Sequence, residues 1–117
     1  MTTILVADGN LQIRQLLGTL VRREGYRAVE AANGDEALAG IREHRPSIAI
    51  LGVIMPGLSG LDVCRVVRGD PSLAGTRLMI VSGMTTDVEA REAGADLFLA
   101  KPFRACHMHE AIATLVA

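Results

Sequence analysis

Residues 3–17 read TILVADGNLQIRQLL: a short apolar run, a polar break, then apolar residues returning at helical spacing. Thr3 to Ala7 has the length and composition of a strand, and Asp8, Gly9 and Asn10 form the break. From Leu11 to Glu24, Ile13, Leu16, Leu17, Leu20 and Val21 mark one face of a helix, which Gly25 stops. This strand, loop and helix decide the fold because the unit recurs down the chain.

Arg27 to Ala31 (RAVEA) reads as a second strand. Asn33 with Glu36 three residues later approximates a capping box, opening a helix whose apolar side runs through Ala37, Leu38 and Ile41 until Pro46 ends it. Ile48 to Leu51 (IAIL) is near-continuously apolar, as in a parallel strand covered on both faces. The loop MPGLSG, residues 55–60, leads into a third helix carrying Leu61, Cys64 and Val67, which Gly69, Asp70 and Pro71 close. Arg77 to Ser82 (RLMIVS) is a fourth strand. A short helix through Val88 and Ala90 stops at Gly94, Leu97 to Ala100 is a fifth strand, and Phe103 to Val116 is a last helix packing through Met108, Ile112 and Leu115.

Five strands alternating with five helices, without a linker or low-complexity segment, predict an α/β fold. It is one doubly wound five-stranded parallel sheet with helices on both faces. In such sheets sites form at the carboxyl ends of the strands. Here those are residues 8–10, 52–55, 82–84 and 101–102.

The 117 residues suit a single domain, and with 50% apolar but only 3% aromatic residues the core must be built from aliphatic side chains. Twelve basic against thirteen acidic residues give a net charge of −1, which provides no footprint for a nucleic-acid backbone. No apolar stretch approaches the roughly 20 residues that span a bilayer, and the start lacks a basic signal-peptide region. The expected location is the cytoplasm, with no membrane contact. Cys64 and Cys106 lack paired metal-site spacing and are expected to be reduced thiols.

The segments ILVADGNLQIRQLL, IMPGLSGLDVCR and GADLFLAKPF, in this order and spacing, resemble a response-regulator receiver domain of two-component signalling over the whole chain, residues 1–117. The resemblance implies a flavodoxin-like fold and a non-enzymatic module in a phosphorelay. It also implies a pocket in which an acidic pair after strand 1 and a phosphoacceptor aspartate after strand 3 hold Mg²⁺. A hydroxyl after strand 4 and a lysine after strand 5 then bind the phosphoryl group. Carried over, Asp8 matches the first acid, Ser82 the hydroxyl, Gly83 the residue whose backbone N–H joins it, and Lys101 the lysine. Phe98 matches an aromatic that changes rotamer on activation.

Two positions depart from the pattern. The second acid is Gly9, and the phosphoacceptor position is Gly52. Glycine offers neither a nucleophile nor a side-chain oxygen for a metal, so no cofactor is expected, and Asp8 alone remains of the Mg²⁺ carboxylates. With Asp8 and Lys101 summing to zero charge, the two are expected to pair directly or through water. The recess left beside Lys101, Ser82 and Gly83 has two readings, ordered water or a phosphate-like anion. Phe98, without its trigger, is either a residual switch or plain buried core. The span from Ser82 to Lys101 is shorter than the family's by about one helical turn, and Leu97 stands where an acidic residue is common, so the helix 4, strand 5, helix 5 face is expected to be remodelled.

Cys106, His107, Met108 and His109 point in different directions on a helix, which argues against a metal cluster and for solvated histidines. Cys106 then lies near the positive end of a helix starting directly after Pro102. Asp62 and Asp70 lie too far along the third helix to replace the missing acceptor, and Gly34, Gly57, Gly60 and Gly94 read as turn and cap positions. No phosphate-cradling or dinucleotide fingerprint is present.

The preferred reading is a pseudo-receiver that meets a kinase or downstream effector through the helix 4, strand 5, helix 5 face, independently of phosphorylation. It would bind no nucleic acid by itself. Two alternatives stay open: an ordinary phospho-accepting regulator whose aspartate was replaced at position 52, and an anion or small-ligand sensor on the same scaffold. The chain is either a stand-alone regulator or one domain of a longer protein.

Overall fold

The apolar runs become the five strands of one parallel sheet in the computed structural model, which describes residues 2–116. Along the chain these are β1 (Thr3–Ala7), α1 (Leu11–Arg23), β2 (Arg27–Ala31), α2 (Gly34–His44), β3 (Ile48–Gly52), α3 (Gly60–Arg68), β4 (Arg77–Ser82), α4 (Asp87–Glu92), β5 (Leu97–Ala100) and α5 (Ala105–Val116). The strand order is β2-β1-β3-β4-β5, so the chain winds outward from β1 in both directions. Register follows the apolar pattern: Ile4 pairs with Ile48, Leu51 with Ile80, and Ile80 with Phe98.

Successive strand residues point to opposite faces, which divides the core in two. Leu5, Ala7, Leu51 and Ile80 pack under α2 and α3 with Val63 and Val67. Ile4, Val6, Ile50 and Val81 pack under α1 and α5 with Leu17 and Ile112. Every residue of central β3 is buried, whereas edge strand β5 is only half-covered.

The helix starts expected from the sequence are made by side chains. Asn33 accepts the Glu36 N–H at 2.8 Å while Glu36 reaches back to the Ala32 N–H at 3.1 Å. At α3, Ser59 accepts from the Asp62 N–H and Asp62 accepts from the Ser59 N–H, a complete capping box.

Several expectations need correction. α5 begins at Ala105, not directly after Pro102: Phe103 packs into the α1 and α5 core, and the Arg104 N–H donates to His107 Nδ1 at 3.1 Å. His107 is therefore a capping residue as well as an exposed one. Between α3 and β4 the chain makes a 3₁₀ turn, Pro71–Leu73, capped by Asp70. Gly57 and Gly94 take positive φ (74° and 109°), but Gly34 and Gly60 are required by contact, because a Cβ would overlap the Leu58 and Gly52 carbonyl oxygens. Phe98 is half-buried against the α2 and α3 side of the core, so it is not fully enclosed. Leu97 is half-buried against the α1 and α5 core, and the exposed apolar residue of α4 is Val88. At six residues α4 is the shortest of the five helices.

Candidate functional site

The carboxyl ends of β1, β3, β4 and β5 meet around one cavity of about 730 Å³ whose lining includes Asp8, Gly9, Ser82, Gly83 and Lys101. Asp8 leaves β1 with its N–H donated to the Ala31 carbonyl at 3.2 Å, which turns its side chain toward β3. Its Oδ1 accepts the Asn10 N–H at 2.9 Å, and Asn10 in turn caps α1 by accepting the Ile13 N–H at 3.0 Å.

Oδ2 of Asp8 faces Lys101 Nζ at 3.5 Å, with the carboxylate side chain 8% exposed and the lysine 32%. The Coulomb attraction at that distance and an effective dielectric near 20 is on the order of 5 kcal/mol before desolvation. Lys101 is delivered by its own N–H, which donates to the Ser82 carbonyl at 3.0 Å and fastens the ends of β4 and β5 together. Ser82 is buried, and its Oγ accepts the Met84 N–H at 3.0 Å.

Gly52, the last residue of β3, stands directly across from Asp8: a Cβ there would lie 2.6 Å from Asp8 Oδ2. A Cβ at Gly9 would lie 3.3 Å from Pro56 Cδ and 3.4 Å from the Ile54 carbonyl oxygen. The Asp8 carboxylate thus occupies the space a side chain at 52 would need, and Pro56 and Ile54 pack close to Gly9. Among the described residues no group of three or more His, Cys, Asp or Glu side chains could hold a metal ion. The cavity offers one carboxylate, already facing an ammonium.

Arg14 was not foreseen. Its Nη1 donates to the Asp8 carbonyl at 2.9 Å and its Nε lies 3.7 Å from Glu30, which also pairs with Arg22 at 2.9 Å. The available signal was a guanidinium four residues after Asn10, one turn into α1 and beside the loop. The exposed rim residues Ile54 and Met84 lie in strand-end loops located from the sequence, but their exposure was not read, since composition alone does not separate them from core.

The remaining candidates lie elsewhere. Asp62 and Asp70 are engaged as caps, and both carboxyls are held below the usual range, Asp62 chiefly by the Ser59 N–H and Asp70 chiefly by the Ser72 hydroxyl. Cys64 is a free buried thiol that burial pushes up to about 12, while Cys106 is free and exposed. His109 pairs with Glu24, joining α5 to the end of α1.

Comparison with known proteins gives a consistent result. The pattern of the response regulator receiver domain matches residues 4–113. The DNA-binding response regulator MtrA of Mycolicibacterium paratuberculosis is 35% identical over 104 residues, covering 86% of this chain and 45% of that protein. The transcriptional regulatory protein ResD of Bacillus subtilis is 38% identical over 102 residues, covering 87% and 42%. The chain thus spans less than half the length of the curated relatives it matches. A crystal structure of a putative response regulator from Chloroflexus aurantiacus superposes with a TM-score of 0.92 at 28% identity, covering 98% of this chain and 97% of that one. No helix among the described residues is long and apolar enough to cross a membrane. With a matched span covering nearly all of the sheet and helices and a CheY-like architecture, the chain belongs to the response regulator receiver domains, the non-enzymatic signalling modules of two-component systems.

Proposed function

We propose that this receiver domain works without an aspartyl phosphate at position 52 and signals through protein contacts. The observation that carries the reading is the Asp8 carboxylate standing 2.6 Å from where a Cβ of residue 52 would be, facing Lys101. A phosphoryl-accepting pocket needs a free carboxylate there, with its lysine available to the incoming anion. In this chain the lysine's partner is internal.

The donor set does not fit Mg²⁺, which prefers an octahedral oxygen site and takes one or two carboxylates together with phosphate oxygens. Among the described residues Asp8 is the one carboxylate lining the cavity, and it already faces a cation. Phe98, half-buried beside the core, then has no phosphoryl-driven hydroxyl to follow.

Replacement of an aspartate in an otherwise ordinary receiver would leave Gly9 unexplained. The tight fit of Pro56 and Ile54 against Gly9 favours a pocket settled around both glycines. Response regulators meet kinases and effectors, and for this chain we assign that contact to the α4, β5 and α5 face, where α4 is short and carries exposed Val88. A net charge of −1 supports no nucleic-acid binding by this domain alone. The names of MtrA and ResD describe those longer proteins. A cytoplasmic location, without membrane contact, accords with the family.

The test is incubation with acetyl phosphate and Mg²⁺, followed by intact mass analysis. The expected result is an unmodified protein, beside a receiver with its aspartate that gains a phosphoryl group. A stable acyl phosphate on this chain would overturn the proposal.

A further inference from the structure

The cavity beside Lys101 has apolar walls around a charged floor. Val53, Ile54, Met55, Pro56, Val81 and Met84 line it, while among the described residues Asp8 and Lys101 are its only charged lining residues. Ile54 is 71% exposed and Met84 80% exposed. Single exposed apolar side chains need no explanation, but two on the rim of one cavity leave apolar surface placed to cover a ligand. The volume of about 730 Å³ is within the range of small-molecule sites.

The floor decides the ligand's charge. Lys101 Nζ lies 3.5 Å from Asp8 Oδ2, so an anion on the ammonium would also sit close to a carboxylate that is nearly out of water, whose repulsion offsets the attraction. A cation meets the converse penalty from Lys101. An uncharged group with both a carbonyl and an N–H suits the pair: its oxygen accepts from Nζ and its N–H donates to Oδ2.

We infer that this cavity binds an uncharged amphipathic small molecule, a primary amide or similar head on the Lys101 and Asp8 pair with an apolar body across Ile54 and Met84. The inference rests on the reading that neither Mg²⁺ nor a phosphoryl group fills the pocket. It names the ligand class such a pocket selects.

The test is an amide NMR titration with hexanamide, hexanoate and, separately, Mg²⁺ with beryllofluoride. Hexanamide should shift the Gly9, Ser82, Gly83 and Met84 resonances saturably, and hexanoate should bind more weakly. Because Ile54 and Met84 are exposed, Ile54→Asn and Met84→Ser should fold normally and weaken hexanamide about fivefold each, the loss expected for removing apolar contacts of this size. Absence of saturable shifts, an affinity in both variants unchanged from the unsubstituted protein, or hexanoate binding as tightly as hexanamide would overturn the inference and leave the phosphorylation-independent reading standing. A response to beryllofluoride would instead overturn that reading.

Discussion

At Asp8 three interactions converge: the Asn10 N–H on Oδ1, Lys101 facing Oδ2, and Arg14 on the backbone carbonyl. Removing Lys101 leaves a nearly buried carboxylate short of its cation. Lys101→Met, which keeps the aliphatic stem, should cost about 1–2 kcal/mol, less than a fully buried pair because the lysine is partly solvated. Urea unfolding with Asp8→Asn and the double variant checks it: the single losses should exceed the loss in the double variant by about 1 kcal/mol when summed. Strict additivity would mean that the pair is not coupled. The pairing of Asp8 with Lys101 was legible from their charges and the family pattern, whereas the contacts from Asn10 and Arg14 were not. Gly9 and Gly52 stood out as missing carboxylates, but only the folded backbone puts Asp8 into the volume of residue 52.

At the scale of elements, strands and helices were readable because apolar periodicity is a local property. The start of α5 and the 3₁₀ turn after α3 were not, because each depends on a side chain returning to the backbone, His107 to Arg104 and Asp70 to Ser72. The α3 capping box gives a pH prediction. The Asp62 carboxyl lies below its ordinary value of 3.8, chiefly through the Ser59 N–H and hydroxyl. Its contribution to stability is therefore present above the unfolded value and is lost as pH falls through the lower folded value. Ser59→Ala should raise the Asp62 titration toward 3.8, followed by carbon-detected NMR, and should cost about 1 kcal/mol at neutral pH through loss of the cap. A second element-scale prediction concerns Arg68 at the end of α3. Its Nε donates to the Gly94 carbonyl at 2.9 Å, its Nη1 to the Thr76 carbonyl at 3.1 Å, and it pairs with Asp96. Arg68→Met strands these acceptors between α3, β4 and β5 and should lower the urea unfolding free energy by about 2 kcal/mol.

For the whole molecule, the doubly wound sheet follows from the repeated strand and helix unit, and its topology brings the four strand ends to one cavity. The family pattern located Asp8, Ser82, Gly83 and Lys101, and the fold brings them together around that cavity. The apolar rim escaped sequence reading because exposure is set by neighbours distant in the chain, and the Arg14 brace because its bond to the Asp8 carbonyl depends on how the loop after β1 folds. The central proposal is a receiver whose pocket lysine is engaged by its own carboxylate. The most direct measurement is an amide NMR titration with Mg²⁺ and then beryllofluoride, on this protein and on Gly52→Asp. This protein should show no saturable shift around Asp8, Ser82 and Lys101. The variant should respond only to the extent that Asp8 gives up the 2.6 Å approach that a residue at 52 forbids. Saturable Mg²⁺-dependent shifts around Asp8 in the unsubstituted protein, increased by beryllofluoride, would contradict the proposal.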